Sequence, residues 1–191
     1  MKKVTLLVPA FAGTFLLGGL VGQQVQTFCD GCESTYISSE EIQEYLEVAS
    51  ADQQVRSVDV GKAQVQVAIS HRGRLEAPAG VAEHTLVTEV YYVISGSATN
   101  VTGSDLIGAV PRGPDNRAVQ FLNGPGHNAR EIQNGTTNEL SAGDILVIPG
   151  GTGHQFTRID DHIRYVMIRI DPDKVVPLMD EEDSREYLRE R

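Results

Sequence analysis

The sequence predicts an all-β domain, an antiparallel sandwich or barrel, with one short helix before it and a second expected at the C-terminal end. Three observations carry this. From Arg56 onward apolar residues recur at every second position, first Val58 and Val60, then Val65, Val67 and Ile69 between Gln64, Gln66 and Ser70. Further runs at 90–94, 144–148 and 163–170 are short, rich in β-branched and aromatic residues, and bounded by Gly, Pro, Asn or Asp. Clear helical spacing is confined to Ile42, Tyr45, Leu46 and Ala49, behind a capping box with Ser38 and Glu41 three apart.

The elements follow in chain order. The chain of 191 residues has the length of one domain with a sizeable core. Residues 1–22 read as an export signal or a signal-anchor: Met1-Lys2-Lys3 is a positive start, and 4–21 is apolar or small apart from Thr5 and Thr14. Pro9, Gly13, Gly18 and Gly19 make this a poor buried helix. Ala10-Phe11-Ala12 fits a small-x-small cleavage rule but leaves a short apolar run, and a cut after Gly22 puts Leu20 at the third position back. An uncut segment would be a membrane tether through 4–21, at the short end for spanning. The expected location is periplasmic or secreted, with anchoring to the outer face of the inner membrane as the alternative.

The segment 23–55 holds Cys29 and Cys32 and the helix over 39–49. No βαβ pattern follows the cysteines, and no second Cys or His pair lies near enough for a structural zinc site, so a local disulfide is expected. Such a short loop stabilises little globally. The barrel is placed at 56–171. Within it, 103–128 is heavy in Gly, Pro and Asn and is too long for a hairpin loop, so a mobile lid over the open end is expected. The acidic tail 172–191 carries Asp180, Glu181, Glu182 and Asp183 and reads as a solvated helix, with Glu181 and Arg185 at i, i+4 spacing.

Charge excludes whole classes of partner. The formal net charge is −10, and residues 1–22 hold two lysines and no acids, so the remainder carries −12. Nucleic acid and anionic membrane surfaces need a basic face, and none is present.

The chemistry centres on two stretches. One is His84-Thr85-Leu86-Val87-Thr88-Glu89, followed seven residues later by Gly96; the other runs from Gly143 through Pro149-Gly150-Gly151-Thr152-Gly153 to His154. An odd separation puts His84 and Glu89 on opposite faces of one strand. A turn within 85–88 would instead set them on neighbouring antiparallel strands, pointing inward together. The second stretch is a turn that presents His154 at the start of a strand. Two imidazoles and one carboxylate form a mixed nitrogen and oxygen site suited to Fe(II), Mn, Ni or Zn, with positions open to water or substrate. Tyr91 shares parity with Glu89, so it points inward either as a donor to a bound ligand or as a core aromatic; Phe156 shares parity with His154 and lines an apolar wall. His71 is expected to be structural or near the rim. His127 would reach the barrel mouth only if its loop folds over as a lid, and His162 is expected to be exposed at a turn.

Both stretches resemble the paired motifs of the cupin superfamily, the double-stranded β-helix or jelly-roll barrel. The second matches at Gly143, Pro149, Gly151 and His154, with Arg158 where the pattern ends in Asn. The first matches at His84, Glu89 and Gly96, while the first histidine of the family pattern falls on Ala82 and its leading glycine on Glu76. The resemblance implies a cupin jelly roll over roughly 56–171 and one divalent transition metal held by His84, Glu89 and His154. It also implies homodimers paired through their sheets. Ala82 leaves three ligands of the usual four, enough for a catalytic zinc-type site. Two functions follow: a metal-dependent enzyme on a small molecule, with dioxygenase or Lewis-acid isomerase or lyase chemistry, or a non-catalytic ligand-binding barrel.

Overall fold

The computed structural model describes residue 29 and residues 32–48 and 52–189. The export segment 1–22, with the tether over 4–21, lies outside the described residues. Among the described residues no helix is long and apolar enough to cross a membrane. Cys29 and Cys32 are joined as a disulfide.

Helix α1 (Ser39–Val48) starts where the capping box sets it, with the Glu41 amide donating to Ser38 Oγ at 3.0 Å. Its Tyr45 and Leu46 are buried beside Val55 and Ile69. The strands are β1 (Gln53–Asp59), β2 (Gln64–Gly73), β3 (Val81–His84), β4 (Thr88–Gly103), β5 (Asp105–Ile107) and β6 (Val110–Pro111). Helix α2 (Arg117–Phe121) follows, then β7 (Gly126–Ala129), β8 (Glu131–Gln133), β9 (Thr136–Ser141), β10 (Ile145–Ile148), β11 (Gly153–Arg158), β12 (His162–Asp171) and helix α3 (Glu181–Arg189).

Strand β4 organises the molecule. Its first half pairs antiparallel with β12 and β10, and β12 passes the pairing on to β2 and β1. Its second half pairs with β11 and β9, and the order runs on through β3, β7 and β6. One strand thus belongs to two facing sheets, the jelly-roll arrangement of a cupin-like double-stranded β-helix. The change of sheet falls at Gly96, which has φ +76°, and a Cβ there would overlap the His162 carbonyl. The hydrogen-bonded path is open, running from β1 to β6, so the described strands form a rolled two-sheet sandwich and not the closed barrel expected from sequence. Alternate residues fill the space between the sheets. From β4 and β12 these are Tyr91, Val93, Ile163, Tyr165 and Met167, and they meet Phe156 of β11 and Ile148 of β10.

Two segments differ from expectation. The stretch 103–128 is not one structureless lid: it contains β5, β6, α2 and the start of β7. Its Leu122 packs with Met179 and Tyr187, so the glycines and prolines shape a packed cover. The acidic tail is only half solvated. Asp180, Glu181, Glu182 and Asp183 face water, but Ser184 and Tyr187 are buried and Ser184 Oγ donates to the Gln54 carbonyl at 2.8 Å. Helix α3 therefore supports the cover from behind.

Candidate metal centre

Three elements deliver the three expected ligands. His84 ends β3, His154 is the second residue of β11, and Glu89 is the second residue of β4. The expectation that His84 and Glu89 lie on paired strands is incorrect. Strand β3 pairs with β7 and β11, while the first half of β4 lies in the facing sheet. The turn at 85–87 carries the chain across the sandwich, so Glu89 approaches both imidazoles from the opposite wall. Gly151 holds this crossing in place by donating its amide to the His84 carbonyl at 2.8 Å.

The side chains converge. His84 Nε2 is 3.5 Å from Glu89 Oε1, and His154 Nε2 is 3.6 Å from Glu89 Oε2. All three are buried, with one donor atom from each lying within 4.8 Å of the others. Ligand bonds of about 2.0–2.2 Å place neighbouring donors in one shell about 3 to 3.5 Å apart, and the two imidazole–carboxylate distances lie close to that range. Protonation states suit a metal as well. Burial lowers His84 to about 3 against the opposing pull of Glu89, with His154, Arg169 and Arg112 acting with burial. Burial likewise lowers His154, with Glu89 and the Thr152 carbonyl opposing. For Glu89, burial favours the neutral acid; His84, Arg169 and His154 pull the other way, and where the imidazoles are neutral it is Arg169 that holds the carboxyl ionised. Two neutral imidazoles and a carboxylate are the forms a metal requires.

The Glu89 carboxylate is heavily engaged. Oε1 accepts from Arg169 Nε at 2.8 Å and from Asn123 Nδ2 at 3.1 Å; Oε2 accepts from Tyr91 Oη at 2.8 Å. Arg169 is 0% exposed and also donates to Asp52 Oδ2 at 2.6 Å and Gln54 Oε1 at 2.9 Å. Arg169 thus bridges the Glu89 and Asp52 carboxylates and fixes the orientation of Glu89. Asn123 Nδ2 also lies 3.0 Å from His84 Nε2, so it spans two of the three candidate ligands. Ala82 faces the centre: its Cα partner across the ladder is His154, and it lines the same cavity of about 270 Å³.

Tyr91 points inward as expected, with its hydroxyl proton committed to Glu89 and its ring stacked on Phe156 at 6.5 Å. The other histidines are elsewhere. His127 Nδ1 is 2.7 Å from Glu83 Oε2 and the ring is outside the cavity lining; His162 sits at a half-buried rim, 2.7 Å from Asp161 and 3.3 Å from Ser95 Oγ. His71 packs edge-on against His162, their ring centroids 6.2 Å apart. Sequence reasoning missed Asn123, Arg169, Arg72 and Arg112. Arg169 had no clear signal, since the two rows of β12, Ile163, Tyr165, Met167 and Arg169 against Arg164, Val166, Ile168 and Ile170, each hold three apolar residues and one arginine. Asn123 had none, because no period runs through its segment.

The depressed histidines set a sign for acid stability. The unfolded chain binds protons at imidazoles near pH 6.5, while folded His84 and His154 bind them only at lower pH. Below about pH 6.5 the unfolded state therefore gains protons and stability falls, by up to about 1.4 kcal/mol per pH unit for each histidine. Glu89, held ionised, adds to the loss below about pH 4.5. Urea titrations of chelator-treated protein at pH 7.5 and 5.0 should show a clearly lower midpoint at pH 5.0. A His84→Gln variant should show a smaller difference.

No family model matches the chain, and no curated protein matches it. Solved structures do resemble it. A Bacillus halodurans protein, BH2720, is 13% identical with a TM-score of 0.44, covering 83% of this chain and 98% of its own. A Klebsiella pneumoniae protein with a double-stranded beta-helix domain is 20% identical with a TM-score of 0.41, covering 78% and 99%. A cupin protein from Bacteroides fragilis is 17% identical with a TM-score of 0.37, covering 75% and 86%. The double-stranded β-helix is defined by the strand pairing described above, and a His84, Glu89 and His154 group that could hold a metal lies inside it.

Proposed function

We propose that the protein binds one divalent transition metal through His84, Glu89 and His154 and acts on a small organic molecule in the adjoining cavity. The observation that carries this is the buried convergence of two neutral imidazoles and an ionised carboxylate. When bound, Fe(II), Mn, Ni or Zn would supply Lewis acidity, and Fe(II) would add reactivity with O₂. The chain's own residues define what surrounds that chemistry. Arg169 and Tyr91 fix the Glu89 carboxylate from two directions. Burial raises Tyr91 and Glu89 reinforces this, so its hydroxyl stays protonated and keeps its proton on the Glu89 carboxylate. Ala82 leaves room beside His154 where a fourth side chain would otherwise stand. The N-terminal segment supports export, with the domain working in a periplasmic or extracellular compartment.

The second reading is a non-catalytic ligand-binding fold. It is favoured by the full engagement of Glu89, because Arg169 and Asn123 both compete with a metal for the same carboxylate oxygen. Elemental analysis of protein purified without chelators separates the two. The expected result is close to one equivalent of metal per chain, with substrate turnover or O₂ consumption against a small-molecule panel. Protein that contains no metal and takes up none of Fe(II), Mn, Ni or Zn would overturn the enzyme reading.

A further inference from the structure

The cavity beside the candidate centre is lined by a cation that lacks an anionic partner. Arg72 lies on the inward-facing row of β2 with Ala68 and Ser70. Its Nε donates to Tyr165 Oη at 3.0 Å, and its guanidinium carbon sits 5.4 Å from the centroid of the Phe156 ring. These two contacts fix the plane of the group. Among the described residues its two Nη atoms have no hydrogen-bond partner, and no carboxylate comes within 4 Å. Asp52 acts on it only through its field, being paired directly with Arg169. Arg72 lines the same cavity as His84, Glu89 and His154.

Three features make this an anion seat and not a buried structural arginine. Structural arginines in protein interiors are paired, and this one presents a free two-donor edge to open space. Local charge is balanced: Arg72, Arg112 and Arg169 face Asp52, Glu89 and Glu83, the last acting on Arg112, so a carboxylate entering the cavity meets no net negative charge. Arg112, in the cover, donates to the Glu83 and His127 carbonyls and to Asn128 Oδ1, which locks its position; its Nη1 is buried with no hydrogen-bond partner among the described residues. Arginines therefore stand on both walls of the cavity.

Taking the centre above as the reacting end of the cavity, we infer that the substrate is a small carboxylic acid whose carboxylate is held by Arg72 in a two-point pairing. Size and spacing narrow the class further. The cavity, at about 270 Å³, falls just below the roughly 300 Å³ at which drug-sized pockets begin. Phe156, under the guanidinium, is two residues along β11 from His154, a strand distance of roughly 6–7 Å. A molecule a few carbons long spans that distance, so a carboxylate on Arg72 leaves the far end of the molecule at His84, Glu89 and His154. Planar bidentate pairing suits a carboxylate, and it makes lysine a poor substitute.

The test is binding of acetate, pyruvate and succinate by isothermal titration calorimetry, against acetamide and succinamide as uncharged counterparts and inorganic phosphate as a different anion. Each is run on metal-loaded and chelator-treated wild type, Arg72→Lys and Arg72→Gln, with circular dichroism to confirm folding. The expected result is that at least one carboxylate binds chelator-treated wild type at least about tenfold more tightly than its amide. Arg72→Gln should lose that preference, and Arg72→Lys should lose most of it. Equal binding of acid and amide to wild type overturns the inference without any variant. So does carboxylate binding that survives Arg72→Gln, or phosphate binding tighter than every carboxylate. The chelator-treated arm separates this from the metal reading. A protein that never takes up metal can still pass it, and a metal-loaded protein can still fail it.

Discussion

Arg169→Met is expected to destabilise the protein by about 3–5 kcal/mol, the usual cost of breaking a buried ion pair by removing one partner. For a chain of this size that corresponds to a fall in Tm of roughly 6–20 °C. The guanidinium is 0% exposed and donates to Glu89, Asp52 and Gln54. Methionine fills a similar volume, so little of the loss comes from a cavity. Most comes from the Glu89 and Asp52 carboxylates, left in the sandwich without their shared cation. That origin has a signature. In Glu89→Gln/Arg169→Met one unpaired charge is gone, so the double variant should be more stable than the sum of the single effects predicts. Thermal denaturation followed by circular dichroism, on chelator-treated protein, measures all three. A drop below about 1 kcal/mol for Arg169→Met would show that water reaches these carboxylates and that the centre is not a dry site.

The case of Arg169 shows what was legible in the sequence and what was not. Strand β12 could be read from its short run of β-branched and aromatic residues, but its two rows are equally apolar and the inward one was not marked. An arginine in that row finds its meaning only in Asp52 and Glu89, which come from elsewhere in the chain. Local periodicity sorts side chains into rows and says nothing about what they meet. His84, Glu89 and His154 were readable for a different reason. Each stands at a spacing that resembles the cupin motifs, and the Pro149–Gly153 turn before His154 marked that position by backbone chemistry as well. Turn reading misled on one point. A turn after His84 suggested a hairpin, but β3 and β4 lie in facing sheets, because the chain crosses the sandwich there. The segment 103–128 was misjudged through composition. Its glycines and prolines permit disorder, but Leu122 and the partner surface on α3 order it, and that partner lies more than fifty residues downstream.

Loss of any one of His84, Glu89 and His154 is expected to weaken metal binding at least about 100-fold, beyond the 10–100-fold typical of an outer-shell partner. Each residue supplies one of only three donor atoms, and Ala82 offers none in compensation. The variants separate ligand loss from collapse. His84→Ala and His154→Ala remove neutral groups at the cavity wall, so the chelator-treated proteins should stay folded. Glu89→Ala leaves Arg169 without one of its two carboxylates and should lose stability as well as metal. Asn123→Ala makes an informative contrast. It removes the amide that spans His84 and Glu89, takes away one of the two hydrogen bonds on Glu89 Oε1, and should leave metal binding equal or tighter. Ala82→His adds a fourth donor opposite His154 and should tighten binding further while narrowing the cavity. Elemental analysis and competition with a metal-sensitive chelator give the affinities, and circular dichroism reports the fold. If His84→Ala and His154→Ala bind metal as wild type does, the ion sits elsewhere and the assignment of these ligands fails. If Asn123→Ala alone abolishes binding, the amide is a ligand in its own right and the centre has a donor from the cover over the cavity.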